Sequence, residues 1–75
     1  MNHTENTAIG NRIRQLRNIR GMYLSDMQAK TGIHYTWLSR IETGKVIPTE
    51  DELNRIKVAL DWTPEMDAHL EALAQ

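Results

Sequence analysis

The sequence predicts an all-α fold, a compact five-helix bundle. Apolar residues recur three and four positions apart, which is the period of a helix with one buried face. No stretch alternates apolar and polar residues as a half-buried strand does. Glycines and helix-capping residues divide the chain into short segments. The 75 residues leave room for one small domain, because a chain of this length buries only about 60% of its unfolded surface.

The first predicted helix runs from Ala8 to Arg20 and ends before Gly21, a residue typical of helix C-termini. Its apolar positions repeat at i, i+4 and i+7, with arginines between them. These positions are Ile9, Ile13 and Leu16. Residues 1–7 are predicted to form a disordered polar tail, which leaves residues 8–75 as a single domain.

Two shorter helices are predicted next, and a glycine separates them. The first runs from Leu24 to Thr31 and is closed by Gly32, whose tolerance of positive φ suits a tight turn. The second runs from Tyr35 to Thr43 and ends at Gly44. This spacing predicts a helix-turn-helix, in which the second helix can lie in a DNA groove.

The start of the helix before Gly32 has two interpretations. Ser25 with Gln28 three residues later has the form of a capping box, which would begin the helix at Asp26. A start at Leu24 would leave the bulky Tyr23 as a poor N-cap. The sequence leaves both starts open.

A fourth helix is predicted to begin after Thr49, because a hydroxyl followed by carboxylates at 50–52 suits the exposed amides of a helix start. Its buried stripe is Leu53, Ile56, Ala59 and Leu60. Thr63 and Pro64 predict a fifth helix over about residues 64–74. Helical spacing recurs there at Met66, Leu70 and Leu73.

The charges divide unevenly along the chain, although the net charge is only −1. Seven basic and three acidic residues precede Pro48, whereas two basic and seven acidic residues lie from Pro48 onward. Phosphates would be attracted to the first half and repelled by the second. Such a distribution would orient the molecule on a duplex.

Several functional classes are not expected. Without cysteine the chain has neither disulfides nor thiolate metal sites. No apolar run approaches the roughly 20 residues that span a bilayer, and the first residues lack a signal-peptide pattern, so a soluble cytoplasmic protein is expected. His3, His34 and His69 are isolated. We therefore expect no enzyme, metal site or cofactor.

A set of residues between about Ile9 and Leu60 has a recognisable spacing. The set consists of Gly32-Ile33, Leu38-Ser39-Arg40-Ile41-Glu42, Gly44-Lys45, Pro48-Thr49 and Leu53. It resembles the helix-turn-helix domain of phage repressor and Cro type, the XRE family, whose members are lambda repressor-like bundles with the third helix in the major groove. The resemblance implies a dimeric repressor that binds double-stranded DNA at an inverted-repeat operator.

The resemblance places Tyr35, Thr36 and Arg40 where base edges are read, with Ser39 beside them. Arg40 suits this role because a guanidinium can donate two hydrogen bonds to O6 and N7 of guanine. Thr36 can offer its hydroxyl to a base or its methyl to thymine, and Tyr35 can reach a base or a phosphate. The alternative for these residues is a solvated polar face.

Other roles follow from the same resemblance. Phosphate contacts are expected from Lys45, Arg12, Tyr23, Trp37 and Thr43. The spacing of Trp37 from Leu38 and Ile41 favours an alternative, in which the indole is a packing residue. Arg17 and Glu42 stand where family members place an ion pair between helix 1 and the end of helix 3, so both are expected to be structural.

Two residues depart from the family pattern. Leu24 stands where a polar residue usually touches the phosphate backbone. Gln28 stands where a small residue, usually alanine, is expected, and Ala29 comes one position late. Both departures bear on the path of the second helix.

The C-terminal helix is expected to serve packing or dimerisation. The candidate dimer residues are Trp62, Met66, Leu70 and Leu73, which could instead complete the monomer core. The chain is also similar to controller proteins of restriction-modification systems and to compact phage or plasmid repressors. Alternatives are an antitoxin, or a protein-interaction module whose acidic second half meets a toxin or another protein, with DNA binding weak or absent.

Overall fold

Four α-helices follow one another in the computed structural model, which describes residues 3–63 of the chain. They are α1 (His3–Ile19), α2 (Leu24–Thr31), α3 (Tyr35–Glu42) and α4 (Glu50–Leu60). No strand occurs among the described residues, so the all-α prediction is confirmed there. The predicted fifth helix, over about residues 64–74, lies outside them.

Helix α1 begins earlier than the sequence predicts. It starts at His3 rather than Ala8, so residues 3–7, which were expected in a disordered tail, are helical. The added turn has a tertiary contact that sequence periodicity does not reveal. Thr7 packs against the loop after α3, where a Cβ atom at Gly44 would lie 3.0 Å from the Thr7 hydroxyl oxygen.

The backbones of α1 and α3 meet at Gly10. A Cβ atom there would lie 2.5 Å from the Ile41 carbonyl oxygen and closer still to that of Glu42. Both obstacles are backbone atoms, which cannot rotate away as a side chain can. Glycine at this position therefore sets how closely the two helices approach.

Helix α2 begins at Leu24, which decides between the two predicted starts. The Asp26 carboxylate accepts a hydrogen bond from the backbone N–H of Tyr23 at 2.7 Å. The cap is thus supplied from inside the first turn, rather than by Ser25. At the other end, Gly32 takes the left-handed conformation with φ 76° and closes the helix as predicted.

Helix α4 has the predicted cap. The Thr49 hydroxyl accepts a hydrogen bond from the Glu52 N–H at 3.1 Å, and the Glu52 carboxylate accepts one from the Thr49 N–H at 2.9 Å. At its far end, the guanidinium of Arg20, the residue after α1, donates to the Leu60 carbonyl at 3.1 Å. Side chains therefore satisfy backbone groups at both ends of α4.

Each described helix contributes to one apolar core. Its buried members are Ile13, Leu16, Met27, Ile33, Leu38, Ile41, Ile56 and Leu60. Ile9, Leu53 and Ala59, which the periodicity also assigned to buried stripes, are only partly buried and pack against its edge. Leu38 and Ile41 of α3 are buried in this core, and their packing determines which face of that helix points outward.

An ion pair ties α1 to the end of α3. The Arg17 Nε donates to one Glu42 carboxylate oxygen at 2.7 Å, and its Nη2 donates to the other at 3.0 Å. The Arg17 Nη1 also donates to the Met22 carbonyl at 2.9 Å. The hydrogen bond with Glu42 raises the pKa of Arg17, although burial acts in the opposite direction. The predicted pair is therefore present and shielded from solvent.

We expect Gly10→Ala to lower the free energy of unfolding by about 1–3 kcal/mol, because the new methyl group overlaps backbone atoms of α3. Helix propensity alone would favour alanine by about 1 kcal/mol, so the sign of the change separates the two effects. Urea unfolding followed by circular dichroism measures it. Asn11→Ala, exposed on the same helix, is the control and should change stability little. A more stable Gly10→Ala variant would contradict the close approach.

The Arg17–Glu42 pair should show strong coupling in a double-mutant cycle. Arg17→Met or Glu42→Gln alone leaves the partner without a counter-charge, so each should cost about 3 kcal/mol, and the double variant should recover part of this loss. The exposed pair Asp51 and Arg55, 2.9 Å apart, is the control and should contribute little. Additive losses from the two single changes would argue against a coupled pair.

Candidate nucleic-acid interface

The outward face of α3 is polar and accessible. Tyr35, Thr36 and Arg40 are exposed, and Ser39 is half-buried beside them. The inward positions between them are held in the core, so the four residues predicted to read bases share the solvent side of one short helix. This arrangement can present hydrogen-bond donors and acceptors to a groove.

His34 organises the start of this face and was not singled out by the sequence. As the N-cap of α3, its Nδ1 accepts a hydrogen bond from the Thr36 N–H at 3.2 Å, and it lies 2.7 Å from the Thr36 hydroxyl. Its ring stacks on Tyr35, with centroids 4.6 Å apart. The position immediately before a predicted helix start was the signal that could have identified it.

Gln28, one of the two departures from the family pattern, has a structural use. Its side-chain oxygen accepts a hydrogen bond from the Tyr35 N–H at 2.9 Å, which satisfies an amide in the first turn of α3. The larger side chain thus links α2 to α3. Leu24, the other departure, is half-buried and packs against the core, so it offers no polar group to a phosphate.

The basic residues fall into two groups according to their partners. Arg17, Arg20 and Arg55 each have a carboxylate within 4.0 Å. A second group has no such carboxylate among the residues that the structure describes. It comprises Arg14, Lys30, Arg40, Lys45 and Lys57. All five are exposed, and no described carboxylate neutralises their charges, which can attract a polyanion.

The predicted phosphate contacts differ in how they are placed. Lys45 and Tyr23 are exposed, whereas Arg12 is half-buried. The Thr43 hydroxyl is exposed but donates within its own helix end, to carbonyls at 3.0 and 3.3 Å. Thr43 thus stabilises the end of α3 as well as lying on its accessible side.

Trp37 packs less completely than its spacing favoured. It is 38% exposed and is not one of the buried residues of the core. It lines an open cleft of about 510 Å³ between the starts of α3 and α4. It lies at the edge of the buried stripe, four residues before Ile41, where helical spacing alone does not determine how far a side chain is covered.

The predicted dimer residues are described only in part. Trp62 is half-buried, packs against the core and has the Lys57 ammonium 5.4 Å from its ring centroid. Part of its surface is therefore used within the chain. Met66, Leu70 and Leu73 lie outside the described residues.

Two further properties of the described residues bear on function. None of their helices combines the length and the apolar character that crossing a membrane requires. They also contain no cluster of three or more histidine or carboxylate side chains that could hold a metal ion.

Comparison with known families gives one match. A family model described as a helix-turn-helix domain matches residues 8–70, which include α2, the Gly32 turn and α3. Searches of the curated proteins and of the solved structures give no match. The family match covers most of the chain and agrees with the helix–turn–helix geometry described above. The chain belongs to the helix-turn-helix domain family.

Proposed function

We propose that the protein is a sequence-specific regulator of transcription that binds double-stranded DNA with α3 in the major groove. The observation that carries this proposal is the outward face of α3. There Arg40 is exposed without a carboxylate partner in the described part of the chain, while the opposite side of the helix is fixed in the core. A rigid helix with one accessible polar face suits groove recognition.

The chemistry of the outward face supports direct reading of bases. The Arg40 guanidinium can donate two hydrogen bonds to a guanine. The Thr36 hydroxyl already contacts His34, which favours contact of its methyl group with thymine. Tyr35 stacks on His34 and is proposed to reach a base or a phosphate. Lys45, in the loop after α3, is proposed to meet the phosphate backbone.

We further propose that the protein acts as a dimeric repressor. One short helix contacts only a few base pairs, whereas a symmetric dimer reads two half-sites about 34 Å apart. The proposed interface is Trp62, Met66, Leu70 and Leu73. Occupation of an inverted-repeat operator would then block transcription, as in phage repressors, plasmid repressors or restriction-modification controllers.

A second candidate function is that of an interaction module or an antitoxin. It is favoured by Leu24, whose half-buried side chain replaces the polar contact that the family makes with phosphate. The acidic half from Pro48 onward would be its contact surface. DNA binding would then be weak or absent. The two candidate functions therefore predict opposite results in a DNA-binding assay.

Selection from a random pool of duplexes, followed by sequencing of the bound fraction, tests the proposed function. An inverted repeat should be recovered. The affinity of the protein for it should fall steeply with salt, because basic side chains displace counterions from the phosphates. Absence of an enriched motif, from protein with a cooperative unfolding transition, would favour the protein-interaction candidate.

Arg40→Ala should lower affinity for the recovered duplex by about 10- to 100-fold, because a bidentate contact with guanine is lost. Its melting temperature should stay close to that of the original protein, since Arg40 is exposed and makes no ion pair in the described residues. Arg55→Ala removes the same guanidinium from α4, where its exposed pair with Asp51 should contribute little, and is the matched control. Equal losses in the two variants would contradict a base-reading role for Arg40.

A further inference from the structure

Arg40 has an aromatic neighbour, whereas none of its neighbours within residues 3–63 is an acidic ion-pair partner. Its guanidinium carbon lies 5.8 Å from the centroid of the Trp37 ring, one turn earlier on α3. The arginines at positions 17, 20 and 55 each meet a carboxylate. Arg40 therefore differs from these three: an uncharged ring lies beside it, and no carboxylate of the described residues neutralises its charge.

Core packing covers Trp37 only in part. The side chain is more than a third exposed, on a helix of eight residues whose buried positions are Leu38, Ile41 and Glu42. The exposed part of the ring leaves apolar surface in water, which is unfavourable for folding. The ring lies between two features, the Arg40 guanidinium on α3 and the cleft that Thr49 and Arg55 line beside α4.

The backbone at Arg40 is already fixed. Its carbonyl accepts hydrogen bonds from the Lys45 N–H at 2.9 Å and from the Thr43 hydroxyl at 3.3 Å. The remaining freedom lies in the side chain, and ordering a long arginine side chain on binding lowers affinity. A neighbouring ring reduces that loss if it restricts the guanidinium before DNA arrives.

We propose that Trp37 is a positioning residue that holds the Arg40 guanidinium ready to recognise guanine. This inference rests on the proposed function and deepens it. Contact with an aromatic face leaves the N–H donors in the guanidinium plane available, and these donors meet O6 and N7 of guanine. Trp37 thus increases specificity without itself contacting a base.

The test compares two substitutions on the selected duplex and on duplexes with each guanine pair exchanged for an adenine pair. Trp37→Leu keeps apolar bulk but removes the ring, and should weaken binding by about two- to fivefold. It should also reduce discrimination between guanine and adenine at one base pair. This is the pair whose exchange no longer weakens binding by the Arg40→Ala variant. Trp37→Phe keeps an aromatic face and should retain most of that discrimination. Melting temperatures of both variants establish that they fold.

The same substitution in the Arg40→Ala background separates positioning from a general structural role. Trp37→Leu should then cause no further loss of affinity. An equal loss in both backgrounds, or unchanged discrimination in Trp37→Leu, would overturn the inference while the proposed function stands. If Arg40→Ala binds every duplex as the original protein does, base reading by Arg40 fails and the inference fails with it.

Discussion

The close contact between α1 and α3 is the constraint on which the rest of the structure depends. Gly10 lets the helix backbones approach until no Cβ atom would fit, and the buried pair of Arg17 and Glu42 joins the same two helices further along. The close approach is specified sterically by the glycine, and the ion pair adds charge complementarity at the end of α3. With α3 held in this way, one side of the helix packs against the core and the other side remains accessible.

The accessible side of α3 is built by neighbouring elements rather than by that helix alone. Gln28 from α2 satisfies the first amide of α3, and His34 caps its first turn through Thr36. In the loop after α3, the Lys45 N–H donates a hydrogen bond to the Arg40 carbonyl. An eight-residue helix would be marginal by itself, so these contacts and the core supply the rigidity that recognition of bases requires.

Local chemistry predicted much of this fold. The Gly32 turn, the end of α2, the extent of α3 to within a residue and the Thr49 cap follow from φ preferences and hydrogen-bonding capacity, which act over a few residues. The early start of α1 and the uses of Gln28 and Trp37 depend on segments distant in sequence or on side-chain direction. Sequence periodicity contains neither kind of information, so only the structure reveals these features.

The outward face of α3 is the surface that we propose to meet DNA. Two-dimensional ¹H–¹⁵N NMR spectra, recorded while the selected duplex is added, test this most directly. The largest shifts should occur over residues 33–45, with small shifts along the acidic helix α4. Shifts concentrated on residues 50–60, with α3 unaffected, would contradict DNA binding by α3 and place the contact surface on the acidic half.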